Sequence, residues 1–221
     1  MITTLILSSI ICILPVLFCS ILFSAGLKVK PLHILLAILL GVIAFFPVQM
    51  VDEFVVRKFI SRFYPTRRAF LTWVFLAEII KGAFLILLPS KKMTLRSFLL
   101  ASMLAGLTFG CGQTIVECLY QIGNTMSQSG NAQILWFPLL LKLICIDIIN
   151  MSCTGLAGLF IWTCKQKKIN WFLLFYPFVL RALFEFFNVK LDIKWFTAAA
   201  ILLALLECRI KYKALSDTGD E

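Results

Sequence analysis

The chain has 221 residues, of which 61% are hydrophobic and 14% charged, and its mean hydropathy is +0.98. Soluble domains carry about 25% charged residues, so a water-soluble fold is excluded and an integral membrane protein is expected. The formal charge of +10 invites a nucleic-acid partner, but most of the 21 Lys and Arg fall in short clusters between apolar runs, where membrane topology accounts for them; no nucleic acid is expected.

Seven apolar stretches follow one another, at roughly residues 3–26, 32–51, 69–88, 97–120, 134–163, 171–187 and 195–208. A helix needs about 20 apolar residues to cross ~30 Å of hydrocarbon, and only the last two stretches are short of that. The predicted fold class is therefore all-α, a polytopic transmembrane helix bundle of about seven spans. It forms a single domain, residues 1–221, with a short polar tail at 209–221. The first stretch lacks a preceding basic residue and outruns the apolar core of a signal peptide, so it reads as a retained helix. Pro31 opens the second, where its missing N–H costs nothing.

Between the second and third stretches, Asp52 to Arg68 interleaves Phe54, Val55, Phe59, Ile60 and Phe63 with Arg57, Lys58 and Arg62, a pattern expected of a helix lying in the interface. The uncharged segment Gln121 to Gln133, rich in Gly, Ser and Asn, is expected to be a flexible extracytoplasmic loop. Eleven connecting Lys and Arg fall on the side of the C-terminus and seven on the other, which places the C-terminus inside and the N-terminus outside. The basic 52–68 segment runs against that assignment.

Eight cysteines are present, but Cys12, Cys19, Cys111, Cys118, Cys145 and Cys153 lie in apolar runs without a CxxC pair, so they read as small hydrophobic fillers. His33 is the single histidine and sits at the start of the second stretch, as an interfacial bystander. A His-rich zinc site cannot be assembled from it, and no cofactor is predicted; a metal ion is left open.

The informative residues are those a bilayer disfavours: Glu78, Lys81, Glu117, Lys142, Asp147, Arg181 and Glu185. Each costs about 2.5–3.5 kcal/mol at a helix centre, so each is expected to face the bundle interior and to pair. Glu78 and Lys81 are i,i+3, Gln113 and Glu117 are i,i+4, Asn150 and Thr154 follow Asp147 at i+3 and i+7, and Arg181 and Glu185 are i,i+4. Four helices thus each offer one polar stripe. The plain alternative is that these acids and bases neutralise one another and fix helix register without chemistry. Gly106, Gly110 and Gly112 permit close helix approach just before Glu117.

These residues resemble the PrsW intramembrane proteases, relatives of the CAAX prenyl endopeptidases. A first family motif of the form F-x-E-E-x-x-K is met by Phe75-Leu76-Ala77-Glu78-Ile79-Ile80-Lys81. A second, G-x-G-F-A-x-x-E-N-x-x-Y, is met by Gly110 to Tyr120, with both glycines and Glu117 in register and the tyrosine one residue early. A third pairs a His with a small-residue stretch, here Asn150 before Thr154-Gly155-Leu156-Ala157-Gly158. A fourth, H-G-L-Y-D, is met by Arg181-Ala182-Leu183-Phe184-Glu185. Ala77 replaces the first Glu, Gln113 and Cys118 replace a Phe and an Asn, and Asn150 and Arg181 replace both histidines.

The resemblance implies a bacterial inner-membrane protease that cleaves membrane-anchored proteins such as a signalling regulator. Its catalytic positions would be Glu78, Lys81, Glu117, Asn150, Arg181 and Glu185. Glu78 would couple to Glu117 on the next helix, and Asn150 with Lys81 or Arg181 would bind an oxyanion. Two further readings stay open: a pseudoprotease that binds single-span proteins without cutting them, and a small ion-coupled transporter whose acids carry protons or cations.

Overall fold

The computed structural model describes residues 2–26, 29–54, 66–128, 136–167, 169–187 and 194–217. Seven long helices account for nearly all of them: α1 Ile2–Ile21, α2 Pro31–Met50, α3 Thr66–Leu85, α4 Leu95–Gln128, α5 Trp136–Lys165, α6 Trp171–Glu185 and α7 Lys194–Asp217. The described residues contain no strand. Three helical stretches, Pro31–Phe54, Leu95–Leu119 and Leu141–Lys165, are long and apolar enough to cross a membrane.

Local chemistry sets the helix ends. Pro31 occupies the first turn of α2 after the extended Lys30. Thr94 caps α4 reciprocally with Ser97: the Ser97 N–H donates to Thr94 Oγ1 at 3.2 Å and the Thr94 N–H to Ser97 Oγ at 2.9 Å. Asn170 Oδ1 accepts from the Phe172 N–H at 3.2 Å to start α6. Lys165 Nζ donates to the carbonyls of Ile86 at 2.8 Å and Leu88 at 2.6 Å, closing the end of α3 with a cation where the helix dipole is negative.

The helices α4 and α5 form the centre, with Phe98, Leu104, Leu143, Ile149, Leu156 and Leu159 fully buried between their neighbours. The outer surface is apolar as well: Ile13, Phe18, Phe46, Phe172 and Trp195 are all exposed. A surface of that kind is suited to lipid and costs free energy in water.

One expectation is corrected. Of the segment Gln121 to Gln133, expected as a loop, residues 121–128 are helical, because elongating an existing helix adds a hydrogen bond per residue and isolated Gly123 and Asn124 do not outweigh it; 129–133 lie outside the described residues. Within the expected polar tail, residues 209–217 are helical and continue α7, where Tyr212 and Leu215 pack one turn apart against the core. Of the expected interfacial segment, residues 52–54 prolong α2 in a wider helical turn and 55–65 lie outside the described residues.

Candidate functional site

The i,i+3 spacing on α3 puts Glu78 and Lys81 on one inward face, and both side chains are buried. Lys81 Nζ is ion-paired with Glu78 Oε1, donates to Asn150 Oδ1 of α5 at 3.1 Å and lies 5.0 Å from the Phe109 ring centre. Asn150 Nδ2 donates to Gln113 Oε1 of α4 at 2.9 Å. That oxygen also accepts from Arg181 Nη2 of α6 at 3.0 Å, and Arg181 Nη2 meets Glu185 Oε1 at 2.6 Å. One chain of polar contacts thus runs Glu78, Lys81, Asn150, Gln113, Arg181, Glu185 across four helices.

Glycines make this chain geometrically possible. A Cβ on Gly106 would stand 2.5 Å from the Asn150 carbonyl oxygen and 2.6 Å from Thr154 Cβ, and one on Gly110 would stand 3.0 Å from Asp147 Cα. Without those side chains α4 and α5 come close enough for Gln113 and Asn150 to bond. Gly112 serves a different contact, against the Phe45 ring of α2.

The other acids are placed otherwise than the resemblance implies. Glu117 pairs with Lys142 of α5 at 2.5 Å, with about a quarter to a third of each side chain exposed, and Glu78 is held by Lys81; no direct Glu78–Glu117 couple is formed among the hydrogen bonds of the described residues. Asp147 is buried and accepts from Thr114 Oγ1 at 3.0 Å. Of the four acids Glu78, Glu117, Asp147 and Glu185, three therefore have a cation and Asp147 has a hydroxyl.

A half-open polar cavity of about 160 Å³ lies at the end of the bundle where α2 finishes and α3 begins. Glu117, Lys142, Arg181 and Glu185 border it, with Gln113 and Trp73. Gln49 and Asp52 complete its polar wall from the end of α2. Glu78, Lys81 and Asn150 stand behind this wall, connected to it through Gln113. His33 is buried near Lys30 and Lys92 at the opposite end of α2, roughly 24 Å along the helix from Gln49 at 1.5 Å per residue. Among the described residues no three of His, Cys, Asp and Glu are grouped to hold a metal ion.

Comparison with known protein families, characterised proteins and solved structures finds no match. One site residue and one pairing are not evident from sequence. Trp73 carries no motif signal at all. The partnership of Lys142 with Glu117 spans two helices, and nothing in local spacing reports it.

Proposed function

We propose that the protein is an intramembrane peptidase of the PrsW type, which cleaves a membrane-anchored protein in the inner membrane of a bacterium. The observation that carries this reading is the convergence of residues from all four motif segments. Glu78 with Lys81, Gln113, Asn150, and Arg181 with Glu185 come from separate helices and meet in one buried chain that opens on a polar cavity, and Glu117, paired with Lys142, borders that cavity.

Hydrolysis inside a membrane needs water, a base and a donor for the carbonyl oxygen. A cavity of about 160 Å³ has room for a few waters. In this reading Glu117 takes a proton from a water as it adds to the peptide carbonyl carbon, and returns the proton to the amide nitrogen as the C–N bond breaks. Arg181 stabilises the oxyanion. Glu78, Lys81, Asn150 and Gln113 are positioning residues that hold Arg181, and Glu185 anchors it from its own helix. With the C-terminus inside, as the excess of Lys and Arg on its side favours, the cavity opens outward, beside the basic 52–68 connection that runs against this orientation.

A second reading, the pseudoprotease, is favoured by two particulars. Glu78 is sealed against Lys81, and Ala77, where the family carries a Glu, is packed among Ala44, Val48 and Phe109. The test is reconstitution in liposomes with a single-span substrate carrying a crosslinker. Slow cleavage that Glu117→Gln abolishes supports the peptidase. Crosslinking without cleavage supports the pseudoprotease, and loss of both results removes both readings.

A further inference from the structure

An open groove of about 370 Å³ lies between the end of α1 and the start of α2, at the opposite end of α2 from the polar cavity. Leu17 of α1 and Pro31, Ile34, Leu35 and Ile38 of α2 line it. Ser20 borders it too, but its hydroxyl donates to the Val16 carbonyl of its own helix at 2.6 Å, so the lining is apolar in effect. From Pro31 to Ile38 the helix rises about 10.5 Å, which gives the groove a mean cross-section of roughly 35 Å². An α-helix with its side chains is about 10–12 Å across, or roughly 80–110 Å². The groove is therefore too narrow to seat another helix and suits a single flexible apolar chain, which the hydrocarbon of a bilayer supplies.

The Pro31 end of the groove is basic. Lys30 directly precedes Pro31 and is exposed; Lys92, exposed in the turn between α3 and α4, stands close enough that both charges act on His33. Among the described residues neither lysine has an ion-pair partner. The sequence holds no Asp or Glu in 1–51 or in 79–116, the stretches that build α1, α2, the α3–α4 turn and most of α4. The acids Asp217, Asp220 and Glu221 come at and after the end of α7, a helix that packs chiefly on α5 and α6. Uncompensated lysines beside an apolar membrane surface attract anionic headgroups. On the orientation favoured by the Lys and Arg count, this end lies on the cytoplasmic side, where anionic lipid gives the membrane its negative surface potential.

We propose that one anionic phospholipid occupies this place, its phosphate between Lys30 and Lys92 and one acyl chain in the groove between α1 and α2. The lipid fills the space between two helices that both rest on α4. The site is separate from the polar cavity, so it stands or falls independently of the peptidase reading.

The experiment uses the full chain in detergent micelles. Phosphatidylglycerol and phosphatidylcholine, each with a photoreactive group on one acyl chain, are titrated in turn, and the labelled peptides are located by mass spectrometry. Residues 17–38 are expected to be labelled at lower concentration by phosphatidylglycerol. Lys30→Gln and Lys92→Gln should each raise the concentration for half-maximal labelling about fivefold, and Lys30→Arg with Lys92→Arg should leave it unchanged. Equal labelling by the two lipids, labels confined to other segments, or an unaltered preference for phosphatidylglycerol in the double Gln variant overturns the proposal. Displacement of the probe by inorganic phosphate as effectively as by unlabelled phosphatidylglycerol would assign the lysines to a free anion and overturn it as well. Covalent dimers joined through residues 17–38 would give the groove to a second copy of the chain, with the same consequence.

Discussion

Arg181 Nη2 donates to Gln113 Oε1 at 3.0 Å, and through that one oxygen the helix carrying Arg181 is tied to the helix pair carrying Asn150 and Lys81. Gln113→Leu removes the acceptor and strands two buried donors, at about 1–3 kcal/mol each. The variant is expected to unfold at a distinctly lower temperature in detergent, followed by intrinsic fluorescence. Gln113→Glu keeps an acceptor oxygen and adds a charge beside Arg181, so it should recover most of the loss. Equal melting of wild type and Gln113→Leu would mean that this junction contributes nothing to the fold.

The resemblance to the PrsW motifs invites restoring a glutamate at Ala77, together with Asn150→His or Arg181→His. The surroundings of Ala77 oppose that repair. Ala77 is 4% exposed in a cluster with Ala44, Val48 and Phe109, where α2, α3 and α4 meet. A carboxylate there would be desolvated and would compete with Glu78 for Lys81. Ala77→Glu is expected to lower yield and melting temperature and to give no gain in cleavage; a stable variant with faster cleavage would show that α2 can move aside.

Much of this architecture is legible in the sequence because hydropathy is a strong signal. The seven apolar runs become seven helices, and Pro31 starts α2 where expected. The i,i+3 pair Glu78–Lys81 and the i,i+4 pair Arg181–Glu185 follow from helix geometry alone. The extensions of α4 to Gln128 and α7 to Asp217 escape such reading because helix elongation beyond an apolar span is little marked by composition. Contacts between helices are the other blind spot. The resemblance couples Glu117 to Glu78, and the packing of α4 against α5 gives it Lys142 instead.

That packing depends on Gly106. Gly106→Ala would force its Cβ to within 2.5 Å of the Asn150 carbonyl oxygen, which is backbone and cannot turn away. Separating α4 from α5 there should weaken the Asn150–Gln113 bond, with a loss of the 1–3 kcal/mol order seen for overpacked interiors. Gly82 supplies the control, because a Cβ at that position meets nothing within 4 Å. Gly82→Ala is expected to be neutral or to stabilise α3 by up to about 1 kcal/mol, the ordinary helix preference for Ala over Gly. Melting curves for the two variants side by side check this, and equal behaviour would contradict the close α4–α5 contact.

Glu117 and Lys142 allow structure and chemistry to be separated by reversing the pair. Both side chains are partly exposed, 27% and 31%, so solvent screening holds their mutual stabilisation to about 1 kcal/mol or less. Glu117→Lys and Lys142→Glu each place like charges together, and each is expected to melt slightly lower than wild type. The double variant Glu117→Lys with Lys142→Glu restores an opposite pair and should melt close to wild type. On the peptidase reading cleavage should not return with stability, because the carboxylate then projects from α5 and no longer from the position on α4 one turn beyond Gln113. Recovery of both melting temperature and cleavage in the reversed protein would mean that Glu117 is only one half of an ion pair and not the base of the site.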